Sequence, residues 1–184
     1  MRTRRLPLVP EAKDMLEGTK TLYIDYAKCI GCETCEAVCK FLYDVPRITM
    51  TRTTEGIMVP LYCKHCEKAS CMNVCSRGAL NRDRDGAVVL QPLLCRGCET
   101  RNCVIACPYA AFFATCSGVA VAKCDLCASR RAIGLGPACV EMCPCAAILY
   151  VDRADIPALE TEESRKAYQR VMDHIRPPRC ETQE

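Results

Sequence analysis

Apolar positions fall in short bursts separated by turn residues, and no long periodic stretch interrupts them before the C-terminal end. Leu22-Tyr23-Ile24 reads as a strand. Arg47 to Thr53 and Ile57 to Tyr62 flank Glu55-Gly56, a hairpin pattern. A second hairpin is predicted from Ala79-Leu80, the Asp85-Gly86 turn and Val88-Val89-Leu90. Gly118 to Ala122 and Ile148 to Val151 complete the candidate strands. Near the end, Thr161 to Ile175 puts Ala167, Tyr168, Val171, Met172 and Ile175 on one helical face, with acids in its first turn and Pro177-Pro178 as its stop. That face either packs on the chain's own surface or grips a partner. The longest apolar runs, around Ala110 to Ala114 and Val119 to Ala122, are far short of the roughly 18 to 20 residues that span a bilayer, so no membrane insertion is expected.

Elements this short bury little. The chain has 184 residues, with 7 Tyr, 3 Phe and no Trp, and 19 of its residues are cysteine. Setting the cysteines aside leaves roughly 40% apolar, a thin core that needs disulfides or metal for cohesion. The Arg4-Arg5 pair is followed by only five residues before Glu11, too few for the apolar region of an export signal, which makes cytoplasm the expected compartment. Thiols stay reduced there, so metal is favoured over a disulfide scaffold.

Sixteen of the cysteines form four groups: Cys29, Cys32, Cys35, Cys39; Cys63, Cys66, Cys71, Cys75; Cys95, Cys98, Cys103, Cys107; and Cys124, Cys127, Cys139, Cys143. Each group is Cys-x2-Cys, then a third cysteine after 2, 4, 4 or 11 residues, then a fourth after three more. Successive groups start 34, 32 and 29 residues apart, the mark of an internal repeat. The first has the spacing of the bacterial ferredoxin run, in which three cysteines hold one 4Fe-4S cluster and the fourth ligates another. Pro108 and Pro144 follow the last cysteine of units three and four, as in that run, whereas Lys40 and Ser76 stand there in units one and two. Zinc is the competing reading. It would use two Cys-x2-Cys knuckles per site and leave the third and fourth cysteine of every unit idle at constant spacing. Covalent c-type haem is excluded because no Cys-x2-Cys is followed by His. His65, inside Cys63-Lys64-His65-Cys66, is read as a neighbour of the ligands or a surface residue, since all four cysteines are present. Cys116 and Cys145 are expected to be small buried thiols, with Cys145 a conceivable substitute ligand, and Cys180 lies in a polar tail.

The segment KCDLCASRRAIGLGPACVEMCP, from Lys123 to Pro144, resembles the fourth motif of the four-cluster iron-sulfur subunits of the dimethyl-sulfoxide-reductase type, and CKHCEKASCMNVCSRGAL resembles their second. The likeness spans about residues 21 to 151. In the third unit four residues separate Cys98 from Cys103 where the family usually has two, and because Cys98 is present a 4Fe-4S cluster is implied there. The resemblance implies an α+β fold of two nested ferredoxin-like modules, units two and three within units one and four. The domains would be an extension at 1–20, a four-cluster domain at 21–151 (outer module 21–45 with 115–151, inner module 46–114) and a helix and tail at 152–184. It also implies the ligand sets: Cys29, Cys32, Cys35 with Cys143; Cys124, Cys127, Cys139 with Cys39; Cys63, Cys66, Cys71 with Cys107; and Cys95, Cys98, Cys103 with Cys75.

Charge and chemistry narrow the function. Sixteen thiolates and four cluster cores of +2 turn the formal +3 into about −5, so nucleic-acid binding loses its electrostatic basis. Arg2, Arg4 and Arg5 are then a docking arm or a solvated tail. No phosphate loop, dinucleotide fingerprint or nucleophile–base pair appears, and Gly134-Leu135-Gly136 is too short to count as one. With four cysteines on every cluster no iron keeps an open position for substrate, so the chain is expected to be non-catalytic by itself. The expected role is an electron-transfer subunit linking a larger catalytic redox subunit to an external electron carrier or further redox subunit. On resemblance the catalytic partner is a molybdenum or tungsten pterin oxidoreductase, with a hydrogenase or carbon monoxide dehydrogenase as the second reading and a freely diffusing polyferredoxin as the third.

Overall fold

A computed structural model describes residues 20–115 and 120–175. The chain is a small mixed fold of short helices and two-stranded ribbons, with strands β1 (Lys20–Ile24), β2 (Ile48–Arg52), β3 (Met58–Tyr62), β4 (Leu80–Arg82), β5 (Val88–Leu90) and β6 (Ile148–Asp152). Three antiparallel ribbons result: β1 with β6, β2 with β3, β4 with β5. The two hairpins form where sequence predicts them. Gly56 and Gly86 take φ of 84° and 78° in their turns, a region that a side chain resists. The β1–β6 ribbon pairs Leu22 with Tyr150 and Ile24 with Ile148, and so joins the entrance of unit one to the exit of unit four. The strand expected over Gly118 to Ala122 lies partly outside the described residues; within them, Ala122 makes an isolated bridge to Phe113.

The helices are brief because most are one turn of a cysteine loop. They are α1 (Thr34–Leu42), α2 (Ser70–Asn73), α3 (Pro92–Cys95), α4 (Asn102–Ile105), α5 (Ala128–Arg131), α6 (Ala138–Glu141), α7 (Ile156–Leu159) and α8 (Glu162–Ile175). Helix α1 packs on α6, bringing units one and four together, and α2 packs on α4, doing the same for units two and three.

The largest apolar core gathers Leu22, Ile24 and Tyr26 with Ile48, Val59, Tyr62, Leu126 and Ile148. The β2–β3 hairpin therefore packs beside unit one. Helix α8 closes this core with Val171, 2% exposed, and with Ala167, Tyr168 and Ile175. The apolar face of α8 thus serves the chain's own interior rather than waiting for a partner. Its start is a reciprocal cap: the Ser164 N–H donates to Thr161 Oγ1 at 3.1 Å, and the Thr161 N–H to Ser164 Oγ at 2.8 Å. The Tyr23 hydroxyl, donating to Ser164 Oγ at 3.3 Å, ties that cap to β1. Arg2, Arg4, Arg5, Pro177 and Pro178 lie outside the described residues, as do Cys116 and Cys180.

Candidate metal centres

The four cysteine loops share one backbone device. The residue two places after the first cysteine of each unit is left-handed: Gly31 (φ 68°), His65 (47°), Gly97 (67°) and Leu126 (56°). This turn folds the peptide N–H back toward the preceding sulfur. The His65 N–H donates to Cys63 Sγ and the Leu126 N–H to Cys124 Sγ, both at 3.4 Å, and the Gly31 N–H does the same for Cys29. At Gly31 a side chain is excluded twice, by φ and because a Cβ would stand 2.9 Å from Met58 Cβ. Two fourth cysteines also accept N–H bonds, Cys39 from Arg47 at 3.1 Å and Cys75 from Ala79 at 3.3 Å. Three residues beyond the last cysteine, Gly78, Ala110 and Ala146 again take positive φ and turn the chain out of units two, three and four. Unit one departs from this, because α1 runs on through Cys39 to Leu42.

Every cysteine among the described residues is a free thiol. One apolar cavity is walled by Cys124, Cys127 and Cys139 together with Cys39, a residue of unit one. A second is walled by Cys95, Cys98 and Cys103 together with Cys75, a residue of unit two. The electrostatics bring the other eight together. Burial is the main force lifting Cys71, to about 11, and thiolate charge on Cys63, Cys107 and Cys66 adds to it while Lys123 opposes. Burial, then Cys29 and more weakly Cys32, lift Cys35 to about 12. The Cys29 thiol is raised by burial and by Cys145, Cys143 and Cys32, against the Gly31 N–H. Cys139, raised well above the usual thiol range, feels burial first, then Cys127, Cys39 and Cys35. Two thiols move the other way. Cys32 is lowered by the Thr34 hydroxyl, 3.4 Å away, and Cys98 by the Arg101 N–H and the Thr100 hydroxyl.

Three side chains around these loops need the structure to place them. His65 is 1% exposed, so it neighbours the cysteines and is not a surface residue. Its Nδ1 accepts the Val88 N–H at 3.0 Å, which leaves the proton on Nε2, and that buried nitrogen has no partner among the described residues. Burial and the nearby cations Lys123, Arg131, Arg153 and Arg82 hold its pKa well below the ordinary histidine value. Lys64 lies over the rings of Tyr62 (4.0 Å), Tyr168 (4.9 Å) and Tyr26 (5.9 Å), and burial lowers its ammonium to about 7. Lys123 is only 2% exposed. Cys145, expected to be buried, is half-exposed, with its sulfur 3.8 Å from that of Cys143.

The residues fit iron–sulfur clusters. Soft sulfur donors stand in fours around two apolar cavities, peptide N–H groups point at sulfurs, and a buried imidazole N–H has no partner among the described residues. Among the described residues no group of three His, Cys, Asp or Glu side chains has the arrangement that holds a single metal ion. The cysteines that wall these two cavities surround a volume, as a multi-iron core requires.

Comparison with known proteins agrees with this chemistry. Residues 54–153 match the 4Fe-4S dicluster domain and residues 22–41 a 4Fe-4S binding domain. The chain is 36% identical over 149 residues to the thiosulfate reductase electron transfer subunit PhsB of Salmonella typhi, covering 72% of this chain and 76% of that one. It is 35% identical over 145 residues to one of the chains of the anaerobic dimethyl sulfoxide reductase of Escherichia coli, covering 68% of this chain and 70% of that one. The electron transport protein HydN of Escherichia coli is 35% identical over 167 residues, covering 77% and 93%. The chain belongs to the 4Fe-4S dicluster family of iron–sulfur electron-transfer proteins.

Proposed function

We propose that this member of the family carries four 4Fe-4S clusters and passes electrons through them between a larger catalytic redox subunit and an external carrier. When bound, each cluster supplies a one-electron redox step. The observation that carries the proposal is the pair of cavities, each walled by three cysteines of one unit and the fourth of another. On that pattern the ligand sets are Cys124, Cys127, Cys139 with Cys39, and Cys95, Cys98, Cys103 with Cys75. The thiolate neighbours of Cys29 and Cys71 support Cys143 with Cys29, Cys32, Cys35, and Cys107 with Cys63, Cys66, Cys71. The four-cluster domain, 21–151, then consists of two modules, the inner one nested in the outer.

The same contacts order the sets in a row. Cys139 is close enough to feel Cys35, which joins the first set to that of unit four. Cys124 feels Cys63, joining unit four to unit two. Cys71, Cys75 and Cys103 pack on one apolar nucleus, joining unit two to unit three. Electrons hop over short gaps far faster than over long ones, so a row suits conduction across the chain. No helix among the described residues is long and apolar enough to cross a membrane. The cytoplasm belongs to the proposal because sixteen thiols have to be reduced to take up clusters.

Two relatives are named as parts of reductases, which supports a catalytic partner, and the pterin class is our first choice for it. HydN, matched over 93% of its length, is named an electron transport protein, which favours a separate carrier as the second reading. Anaerobic purification tests the cluster count. About sixteen iron and sixteen sulfide per chain are expected, and zinc in their place would overturn the proposal. Cys39→Ser is expected to alter the spectrum of the unit-four cluster, and loss of the unit-one cluster alone would refute the exchange. Elution of the native protein with a larger chain, or at its own mass, separates subunit from carrier.

A further inference from the structure

Lys123 is among the largest fully buried side chains of the described residues. Among the described residues, no Asp or Glu pairs with it. Its Nζ donates to the carbonyl of Val88, on β5, and to the carbonyl of Cys124 at 2.6 Å. Those two acceptors belong to different parts of the chain, the hairpin after unit two and the loop of unit four. An ammonium taken out of water costs several kcal/mol unless charge of opposite sign lies close by. Two carbonyl dipoles soften that cost but bring no net charge. Val88 belongs to the apolar nucleus against which Cys71 of the unit-two set packs, and Cys124 belongs to the unit-four set, so the two carbonyls place Lys123 between the two sets. At both thiols its charge opposes the upward pull of burial.

We infer that Lys123 is the shared counter-charge of the two middle clusters, those of units two and four, and that its fixed positive charge favours their reduced forms. This rests on the four-cluster reading above. Each core gains one negative charge when it accepts an electron from the reductant, and a cation held between two such sites stabilises that charge at both. The end clusters, whose exposed ligands include Cys32, are screened by water and feel it less. Adjacent reductions repel one another, so a cation at their boundary also lets both middle sites hold an electron at once.

The test compares wild type, Lys123→Met and Lys123→Arg as anaerobically loaded full-length chains, by iron and sulfide analysis and by potentiometric titration followed by electron paramagnetic resonance. Cys71→Ser and Cys124→Ser identify the signals of the two middle clusters. With iron content kept, K123M is expected to shift two of the four midpoint potentials, those of the middle clusters, to more negative values, and K123R to restore them. Four equal shifts, or none, would overturn the inference. Should K123M lose iron, retention of all four clusters by K123R would support a role for charge, whereas loss in both variants would mean that shape alone matters and would overturn it. A wild-type chain holding fewer than four clusters would instead count against the four-cluster reading, before any variant is compared.

Discussion

The two halves of the molecule are held together by different means. Around units one and four, strand residues, β2–β3 and helix α8 build a core containing Leu, Ile, Val and three buried tyrosines, Tyr23, Tyr26 and Tyr62. Around units two and three the buried apolar residues fall into two small nuclei, Ala79, Ala120 and Val121 in one, Ala69, Leu80 and Val88 in the other, each packed largely against cysteines. Burying a Leu or Ile side chain contributes roughly 1.5–3 kcal/mol, and an alanine far less. The first half has an organic core of its own beside its cysteines. The second is organised chiefly around its cysteines, so on the proposed four-cluster reading metal takes the place of side chains that are not there.

Removing iron is the most severe way to test that contrast. On anaerobic chelation, amide hydrogen exchange is expected to lose protection across β4, β5, α3 and α4 while the β1–β6 ribbon and α8 keep theirs. Collapse of both halves together would erase the distinction. Next in size is Leu22→Ala, which empties part of the larger core and is expected to cost about 2–5 kcal/mol in chemical denaturation of the loaded protein. A cost near zero would mean that the clusters, not this core, hold the first half.

The contact between the halves can be weakened by itself. Arg131 in α5, its side chain 7% exposed, reaches Asp83 at 2.5 Å and also Asp85, both in the β4–β5 turn. The carboxylates are partly open to water, so the loss on Arg131→Met is expected to be about 1–3 kcal/mol. Hydrogen exchange should then rise in the 83–86 turn with the β1–β6 ribbon unaffected. The smallest effect expected is kinetic. In the iron-free chain at pH 8, iodoacetamide should modify Cys32 several-fold faster than Cys35, because the thiolate is the nucleophile and the two thiols are shifted in opposite directions. Peptide mass spectrometry reads the order, and equal rates would contradict the environments described for unit one.

The candidate site is legible in the spacing, because the cysteines of a unit are close in sequence and a cluster would demand a fixed separation of sulfurs. The hairpins at Glu55-Gly56 and Asp85-Gly86 are legible for a similar local reason, since a tight turn needs a residue that accepts positive φ. His65 and Leu126 occupy the same left-handed position as Gly31 and Gly97 without the glycine that would advertise it. Position in the repeat, rather than residue type, is the signal there.

By itself the sequence determined the four-unit repeat, the sulfur chemistry, the hairpin turns and the amphipathic C-terminal helix, read from Thr161 to Ile175 and found at Glu162–Ile175, all of which depend on neighbours within a few residues. The tertiary structure decided what depends on distant ones. It brought Cys39 to unit four and Cys75 to unit three, turned the apolar face of α8 onto the chain's own core, and enclosed Lys123 between β5 and the loop of unit four. A lysine reads as solvated until the packing around it is known, because its burial is set by residues far away in the chain that close over it, and hydropathy along the sequence carries no trace of them.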